Sequence, residues 1–389
     1  MRILILHSRY LSGSLSGENR VVEEEAQLLR GGGHHVELVC LSPDEHSAPA
    51  LVTRSLLSLG SAAAIRDRVR SGGFEVVHCH NLYPTLGAGV LSAAAKAGAA
   101  VVLTLHSYRL VCIAATFFRD RAVCQDCLGR LPWPGVVHAC YRGSRAQSLV
   151  LATSLALARA RRAFDSVHRY LAVSAFVRAK HIEAGLPAER ILIKPNVVGP
   201  QTRRAGPGLY FLVLSRLSAE KGIAELVRAW SEELGELRIA GDGPLRGEIE
   251  RLAHGRGVRV LGPVAPEHIP ALFSGARALF VPSRWFEGQP RVVLEAYAAG
   301  VPVVASRIGC LPDVIADGET GFTVAFGDDE GWRTAARAFA DDHVAMRLGA
   351  AAYERWRTEY SPERGLELLE FAYREALAER DAQAERSCS

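Results

Sequence analysis

Glu287 and Glu295 stand eight positions apart in the stretch Arg284-Trp-Phe-Glu-Gly-Gln-Pro-Arg-Val-Val-Leu-Glu-Ala-Tyr-Ala-Ala-Gly-Val-Pro-Val-Val-Ala305. A strand-like run, Ala278-Leu-Phe-Val-Pro-Ser, precedes them, and another begins at Val301. The spacing predicts a helix over 290–299, with Pro290 in the first turn, where its missing N–H is no loss, and Gly300 as the stop. One carboxylate then stands at the mouth of the helix and the other about one turn inside. Unpaired backbone N–H groups and partial positive charge gather at a helix N-terminus, and glycine lets a ligand approach the backbone. Glu287, Gly288, Gln289 and Glu295 therefore suit a polyhydroxylated, negatively charged ligand. A carboxylate that merely complements the helix dipole is the plainer reading of either glutamate alone.

The cations come earlier, in Leu214-Ser-Arg-Leu-Ser-Ala-Glu-Lys-Gly. Arg216 is expected at the end of a strand and Lys221 at the start of the following helix. Two fixed cations there would neutralise a departing diphosphate without a metal ion. His106 ends the apolar run Val101-Val-Leu-Thr-Leu-His, and His80 sits in His-Cys-His-Asn at the preceding strand end. His80 is a candidate for lining an acceptor. The segment from Ser8 to Asn19 carries Ser12-Gly-Ser and Ser16-Gly-Glu-Asn before a helix, a turn that can hold phosphate. Neither it nor Gly241-Asp-Gly-Pro completes Gly-x-Gly-x-x-Gly, so a dinucleotide fingerprint is absent. The loop Leu261-Gly-Pro-Val-Ala, with Val264, is expected to border a nucleobase through backbone contacts.

Cys112, Cys124, Cys127 and Cys140 form Cys-x11-Cys-x2-Cys-x12-Cys inside an irregular stretch. The Cys-x2-Cys pair is right for half of a tetrahedral zinc site and the outer thiolates could complete it, stapling a loop with no core of its own. Packed thiols without metal are the alternative. Between Arg109 and Arg162 there are nine arginines and two aspartates, with no lysine or glutamate. Such a face is either a solvated rim or a surface for an anionic acceptor or membrane headgroups.

The elements that must carry these residues follow from the apolar pattern of the 389-residue chain. Short runs alternate with helical periods: strands at Arg2–His7, His35–Leu41, Val76–His80, Ala100–His106, Tyr170–Val173 and Ile191–Lys194, with helices at 19–31, 57–71, 86–97, 144–163 and 175–184. A Pro-, Gly- and Arg-rich stretch over 195–208 reads as a linker. Strands resume at Tyr210–Leu214, Glu236–Ala240, Val258–Leu261, Ala278–Val281 and Val301–Ala305, and 362–382 has helical periodicity. Strand–helix alternation with few hairpin signals means α/β architecture with parallel sheets covered on both faces. Ligands in such sheets bind beyond the C-terminal strand ends. A net charge of +4 does not argue for nucleic acid. The start, Met1-Arg-Ile-Leu-Ile-Leu-His, reads as a strand and not a signal peptide, and no uncharged run of eighteen apolar residues predicts a spanning helix. Eight cysteines in such a chain read as reduced thiols or metal ligands. A cytoplasmic protein, peripheral at the inner membrane face, is expected.

Glu-x7-Glu with its flanking Phe-Glu-Gly, then Gly-Val-Pro-Val-Val-Ala-Ser and Gly-Cys-Leu-Pro-Asp-Val-Ile-Ala-Asp-Gly-Glu-Thr-Gly-Phe, closely resembles the donor-site motif of the retaining glycosyltransferases of family four. The resemblance covers most of the chain. It implies the GT-B fold, two Rossmann-like doubly wound domains facing each other across a cleft. An N-terminal acceptor-side domain over 1–195 would carry a Cys/Arg-rich insertion at 108–143. A linker at 196–208 would lead to a donor-binding domain at 209–360, and 361–389 would form a helix crossing back to the first domain and a tail. The implied reaction moves a sugar from a nucleoside-diphosphate sugar to the hydroxyl of a carbohydrate, lipid-linked or small-molecule acceptor, with retention. Arg216 and Lys221, in the family's Arg-Leu-x-x-x-Lys-Gly pattern, would hold the diphosphate, and Glu295 the ribose. Glu287, with the N–H groups of Gly288 and Gln289, would hold the sugar, which His106, in Thr-x-His, would meet. Gly17 matches the second glycine of the family's phosphate loop, whose first is Ser16 here. Front-face attack needs neither a separate base nor a catalytic metal or cofactor, so any zinc would be structural. An inactive sugar-nucleotide-binding subunit and a GT-B epimerase are the alternatives. A phosphorylase would need a pyridoxal-phosphate lysine, for which no motif appears.

Overall fold

A computed structural model describes residues 1–9 and 17–388 of the chain. The chain forms two compact units, Met1–Thr116 with Gln125–Pro195 and Gly365–Ser389, and Phe117–Cys124 with Asn196–Arg364. Through the first 195 residues the elements are β1 (Arg2–Ser8), α1 (Gly17–Gly31), β2 (His35–Leu41), α2 (Ala48–Leu57), α3 (Ser61–Gly72), β3 (Val76–Cys79), α4 (Gly89–Lys96) and β4 (Ala100–Leu105). They continue with β5 (Phe118–Arg119), β6 (Ala122–Val123), α5 (Trp133–Val137), α6 (Arg145–Ala160), β7 (Arg169–Ala172), α7 (Ala175–Glu183) and β8 (Ile191–Ile193). Six strands of the first unit pair in parallel in the order β2-β1-β3-β4-β7-β8. Every residue of β3 and β4 is buried, as a parallel strand covered on both faces requires. Ile3 and Ile5 of β1 and Val102 of β4 pack with Val22, Ala26 and Leu29 of α1 and with Leu369, Tyr373 and Ala376 of the chain's last helix.

The second unit holds β9 (Tyr210–Leu214), α8 (Ile223–Ala229), β10 (Leu237–Ala240), α9 (Arg246–Ala253), β11 (Val258–Gly262), α10 (Ile269–Gly275), β12 (Ala276–Val281) and α11 (Arg291–Ala298). Then come β13 (Val303–Ser306), α12 (Leu311–Val314), β14 (Gly321–Val324), α13 (Asp329–Ala338) and α14 (Asp342–Arg355), and the chain ends in α15 (Pro362–Cys388), which from Gly365 on belongs to the first unit. The sheet order is β11-β10-β9-β12-β13-β14, again parallel. That is the Rossmann order, with its reversal between β9 and β12; in the first unit the reversal lies between β1 and β3. Edge-to-face rings fill the core, with Phe211–Trp230 centroids 5.3 Å apart and Trp230–Phe280 centroids 5.2 Å apart.

Four local differences from the sequence reading have physical causes. The helix expected over 57–71 begins later, as α3 at Ser61, because an unanticipated helix, α2, precedes it and ends at Ser58 in the left-handed region (φ 52°), with Gly60 following at φ 77°. The insertion contains the hairpin β5–β6, turned by Asp120 and Arg121 at φ 53° and 60°, the conformation a two-residue hairpin loop needs. The four-residue β14 was not anticipated. Finally, the stretch read as a linker is partly packed. Asn196, Val197, Val198 and Arg204 are buried, the Trp356 indole N–H donates to the Val198 carbonyl at 3.1 Å, and Arg204 donates to the carbonyls of Pro207 and Arg277.

Candidate functional site

β9 and β12 are adjacent strands on either side of the reversal in the second sheet, so the chains leaving their C-terminal ends diverge and leave a crevice there. After β9 a short turn, Ala219–Lys221, presents Lys221; after β12 the loop 282–290 presents Glu287. The Lys221 ammonium donates to Glu287 Oε1 at 2.8 Å, and the Ser283 hydroxyl donates to the same oxygen at 2.6 Å. Glu287 is only 4% exposed. Lys221 also lies over the Trp285 ring, 4.7 Å from its centroid. Two glycines allow this approach. Gly222 is at φ 64°, and a Cβ there would stand 2.0 Å from the Pro282 carbonyl oxygen; one on Gly309 would stand 2.7 Å from the Glu287 amide nitrogen. Lys221, Ser283, Glu287 and Pro290 line a small cavity of about 20 Å³. Burial, with the Glu287 carboxylate adding to it, pushes the adjacent Cys310 thiol well above the usual range.

The other residues singled out in this unit take different positions. Arg216 is exposed and makes no side-chain hydrogen bond among the described residues. Glu295 lies one turn into α11, 3.6 Å from Arg291 Nη2. Pro290 is the residue before α11 and not its first, with extended backbone at ψ 119°. Gly288 lies between Glu287 and Gln289 in the β12–α11 loop. The Gln289 side chain accepts from the Asn196 N–H at 2.6 Å, which fastens the end of that loop to the start of the second unit's chain. Val264 follows the edge strand β11, two strands away from β9. Ser283 and Trp285 were not singled out in the sequence, although both lie in the motif or at its edge. A wider concavity of this unit, about 770 Å³, shares no residue with the Lys221–Glu287 cluster.

In the first unit the corresponding strand ends carry histidines. His7 belongs to β1, His78 to β3, and His80 and His106 lie just beyond β3 and β4. His80 Nδ1 and His106 Nε2 share a hydrogen bond of 2.8 Å, their rings stacked 5.1 Å apart. His78 is held on both nitrogens, by Tyr373 Oη at 2.8 Å and Thr104 Oγ1 at 2.7 Å, and His7 Nε2 meets Asn19 Oδ1 at 2.8 Å. Burial is the main reason that all four titrate low. His7 is lowered to about 4 and His78, further depressed by Lys194, to about 3; His80 and His106 lie well below the usual range. At neutral pH these rings are uncharged hydrogen-bonding groups. His80, expected to line an acceptor, is itself 4% exposed and reaches its surroundings through His106. Glu25, His78 and His80 bring ligand-type atoms within 4.8 Å of one another. The Lys194 ammonium already pairs with Glu25, and both His78 nitrogens are engaged, so this group is a hydrogen-bonded ion-pair cluster and not a metal site. Gly17 opens α1 and is exposed, while the serine–glycine segment preceding it, residues 10–16, lies outside the described residues.

Within the insertion, Cys112 and Cys127 are buried and Cys124 and Cys140 half-buried. The Cys-x2-Cys turn is closed by the Leu128 N–H donating to the Gln125 carbonyl at 2.9 Å.

Two family models match the chain side by side, Glycosyltransferase Family 4 over residues 15–201 and Glycosyl transferases group 1 over residues 208–342. Among curated proteins, the chain is similar to a GDP-mannose-dependent alpha-(1-6)-phosphatidylinositol monomannoside mannosyltransferase of Mycolicibacterium smegmatis (32% identity over 212 residues, 49% of this chain and 56% of that protein). It is also similar to the sulfoquinovosyl transferase SQD2 of Arabidopsis thaliana (34% identity over 147 residues, 36% of this chain and 28% of that protein). The chain spans 19% to 56% of the length of the curated relatives it matches. Among solved structures it resembles Anabaena HepE in complex with UDP, with TM-score 0.65 and 17% identity, covering 95% of this chain and 98% of that one. It likewise resembles a sucrose-phosphate synthase from Thermosynechococcus elongatus, with TM-score 0.67 and 19% identity, covering 97% and 99%.

Proposed function

The chain belongs to glycosyltransferase family 4 and has the two-unit, Rossmann-like α/β GT-B fold, and from that premise we propose that it transfers a sugar from a nucleoside-diphosphate sugar to an acceptor hydroxyl with retention at the anomeric carbon. The observation that carries this reading is the Lys221–Glu287 pair at the reversal of the second sheet, with exposed Arg216 beside it in sequence. Arg216 and Lys221 neutralise the diphosphate as it leaves, a preorganised electrostatic effect that calls for no catalytic metal. On donor binding Lys221 exchanges part of its contact with Glu287 for phosphate oxygens, freeing carboxylate lone pairs for sugar hydroxyls. The N–H groups of Gly288 and Gln289 add to that contact, Glu295 takes the ribose, Val264 borders the base and Gly17 the phosphate. His106 meets the sugar. In front-face attack the departing phosphate oxygen takes the acceptor proton, so no separate general base is required.

The same reading places the enzyme in the cytoplasm, peripheral to a membrane that carries its acceptor. Its support is an exposed apolar set in the insertion and α6, Leu131, Trp133, Val137 and Leu149, interleaved with exposed Arg130, Arg142 and Arg145. Among the described residues no single helix is long and apolar enough to cross a membrane. A structural zinc on Cys112, Cys124, Cys127 and Cys140 belongs to this reading too, supported by the ligand type and the tight Cys-x2-Cys turn.

A thermal-shift panel of UDP, GDP, ADP, dTDP and CDP with their sugar conjugates tests the donor class. Ligand at a hundred times its dissociation constant should stabilise the protein by about 2.7 kcal/mol. The responding conjugate is then assayed for transfer, with the anomeric configuration of the product read by NMR. Silence across the panel would sink the transferase reading, and an inverted product would sink retention. Metal analysis of the purified protein and sedimentation with anionic vesicles at low salt decide the zinc and membrane parts in the same preparation.

A further inference from the structure

α1 buries Val21, Val22, Glu25, Ala26 and Leu29, so one carboxylate sits on its apolar stripe. Glu25 Oε1 accepts from the Lys194 ammonium, and the side chains of both residues are almost completely buried. Among the described residues Glu25 Oε2 has no hydrogen-bond partner and stands 3.7 Å from His80 Nε2, which also has none. The other His80 nitrogen, Nδ1, is the one bonded to His106 Nε2 at 2.8 Å. Two uncharged imidazoles sharing one hydrogen bond must divide the roles of donor and acceptor. If the His80 proton were on Nδ1, the lone pair of Nε2 would lie against a buried carboxylate oxygen, a repulsion that the surroundings screen poorly. With the proton on Nε2 the same contact is attractive. His80 Nδ1 then accepts, His106 Nε2–H donates, and His106 Nδ1 is left bare. Nδ1 has no hydrogen-bond partner among the described residues, and the ring lines a small cavity of about 30 Å³ with Asn81, Ser107 and Arg109.

We propose that Lys194, Glu25 and His80 are positioning residues that hold His106 in its Nε2–H tautomer and so present His106 Nδ1 as a hydrogen-bond acceptor to a ligand hydroxyl. This deepens the transferase reading, on which the identity of the ligand as a donor sugar rests; the tautomer does not depend on it. A hydroxyl can donate to Nδ1, whereas a fluorine or hydrogen in its place cannot, so the chain would reject donors deoxygenated at that position.

The test is long-range ¹H–¹⁵N correlation on ¹⁵N-histidine-labelled protein near pH 7, with His106 assigned by the signal lost in His106→Gln. Nε2 of His106 should carry the proton; a proton on Nδ1 overturns the proposal. Glu25→Gln replaces the anionic acceptor with an amide that can donate to His80 Nε2, and should move the His106 proton to Nδ1. Where that single variant does not fold because Lys194 is left without its carboxylate, Glu25→Gln with Lys194→Met removes both charges. His106 should then lose its exclusive Nε2–H form, and an unchanged tautomer overturns the positioning role. In the folded variant kcat/KM for the donor sugar nucleotide should fall about tenfold, while affinity for the nucleoside diphosphate alone stays the same. Absence of any nucleotide-sugar turnover in the wild type would reject the transferase reading and leave the tautomer result standing.

Discussion

The two sheets offer the same geometric opportunity and fill it with opposite chemistry. Each is parallel, each reverses strand order once, and each gathers polar side chains at strand ends flanking that reversal. In the second unit the gathered groups are charged: a partly exposed lysine, a buried glutamate and an exposed arginine. In the first they are a stack of uncharged imidazoles, with Glu25 and Lys194 paired beneath them. A charged cluster left partly open to water suits an anion that arrives and leaves. Neutral imidazoles suit hydroxyls, whose recognition is directional and needs no counter-charge. The contrast suggests a division of labour between diphosphate and sugar, and each prediction below would break it or sharpen it.

The largest effect should come from Lys221→Ala. Loss of one preorganised group that stabilises developing charge typically costs a factor of about 10²–10³ in rate. Transfer should fall by at least that much with the far-UV circular dichroism unchanged, since Glu287 keeps the Ser283 hydroxyl and borders a cavity. His106→Gln should lower turnover less and leave nucleoside-diphosphate binding alone. If the two variants proved equal in diphosphate affinity, the division of labour would be wrong.

Acid should separate the units thermodynamically. In the folded protein His7 titrates near 4 and His78 near 3, against an ordinary 6.5. Between those values the unfolded chain binds more protons than the native one, so stability is full above about pH 6.5 and is lost as pH falls. By pH 5 each of these two histidines should have removed about 2 kcal/mol. Amide exchange in β1, β3 and β4 should therefore accelerate between pH 7 and 5, after correction for the intrinsic rate, more than exchange in β9 and β12. Equal acceleration in both sheets would show that the buried imidazoles are not what makes the first unit acid-sensitive.

How legible these clusters were depended on distance along the chain. Parallel sheets followed from alternating apolar runs, and β2 and β9 have the bounds their patterns indicate. His106 could be picked out because it ends such a run, and Lys221 and Glu287 because each follows one within a motif that resembles the family's. Glu25 could not, because Glu23-Glu24-Glu25 reads as a solvated charge run. Only its phase with Val21, Val22, Ala26 and Leu29 marks it as buried. Its partner Lys194 is 169 positions away, and nothing local announces that pairing. The late start of the helix expected over 57–71 was hidden as well, because serine has no special preference for the left-handed conformation that Ser58 adopts at the junction of α2 and α3. β14 and the β5–β6 hairpin are too short for a period-two pattern to show.

A smaller effect is expected from Arg216→Ala. Arg216 is exposed and makes no side-chain hydrogen bond among the described residues, so stability should change by no more than about 0.5 kcal/mol. Hydrogen bonds to charged groups contribute about 1.5–3 kcal/mol, so nucleoside-diphosphate affinity should fall roughly 10- to 150-fold, by titration calorimetry. An unchanged affinity would confine the anion site to Lys221.

The smallest expected effect concerns Trp285, whose ring lies under the Lys221 ammonium at 4.7 Å. Its indole N–H is buried without a hydrogen-bond partner among the described residues, so the side chain is kept there at a cost that its aromatic face must offset. A cation–π contact at a partly exposed lysine contributes about 0.5–1 kcal/mol. Trp285→Leu should therefore lower kcat/KM for the donor only about two- to fivefold, through a lysine less firmly held. Trp285→Phe keeps an aromatic face and removes the unpaired N–H, and should recover most of that loss. Recovery by phenylalanine would mean that the ring acts on Lys221 alone, keeping the charged cluster a two-residue device steadied from below. A loss near a hundredfold in both variants would instead put the indole N–H in contact with the bound donor, and the second unit would then contribute a neutral hydrogen-bond donor of the kind that the contrast assigns to the first.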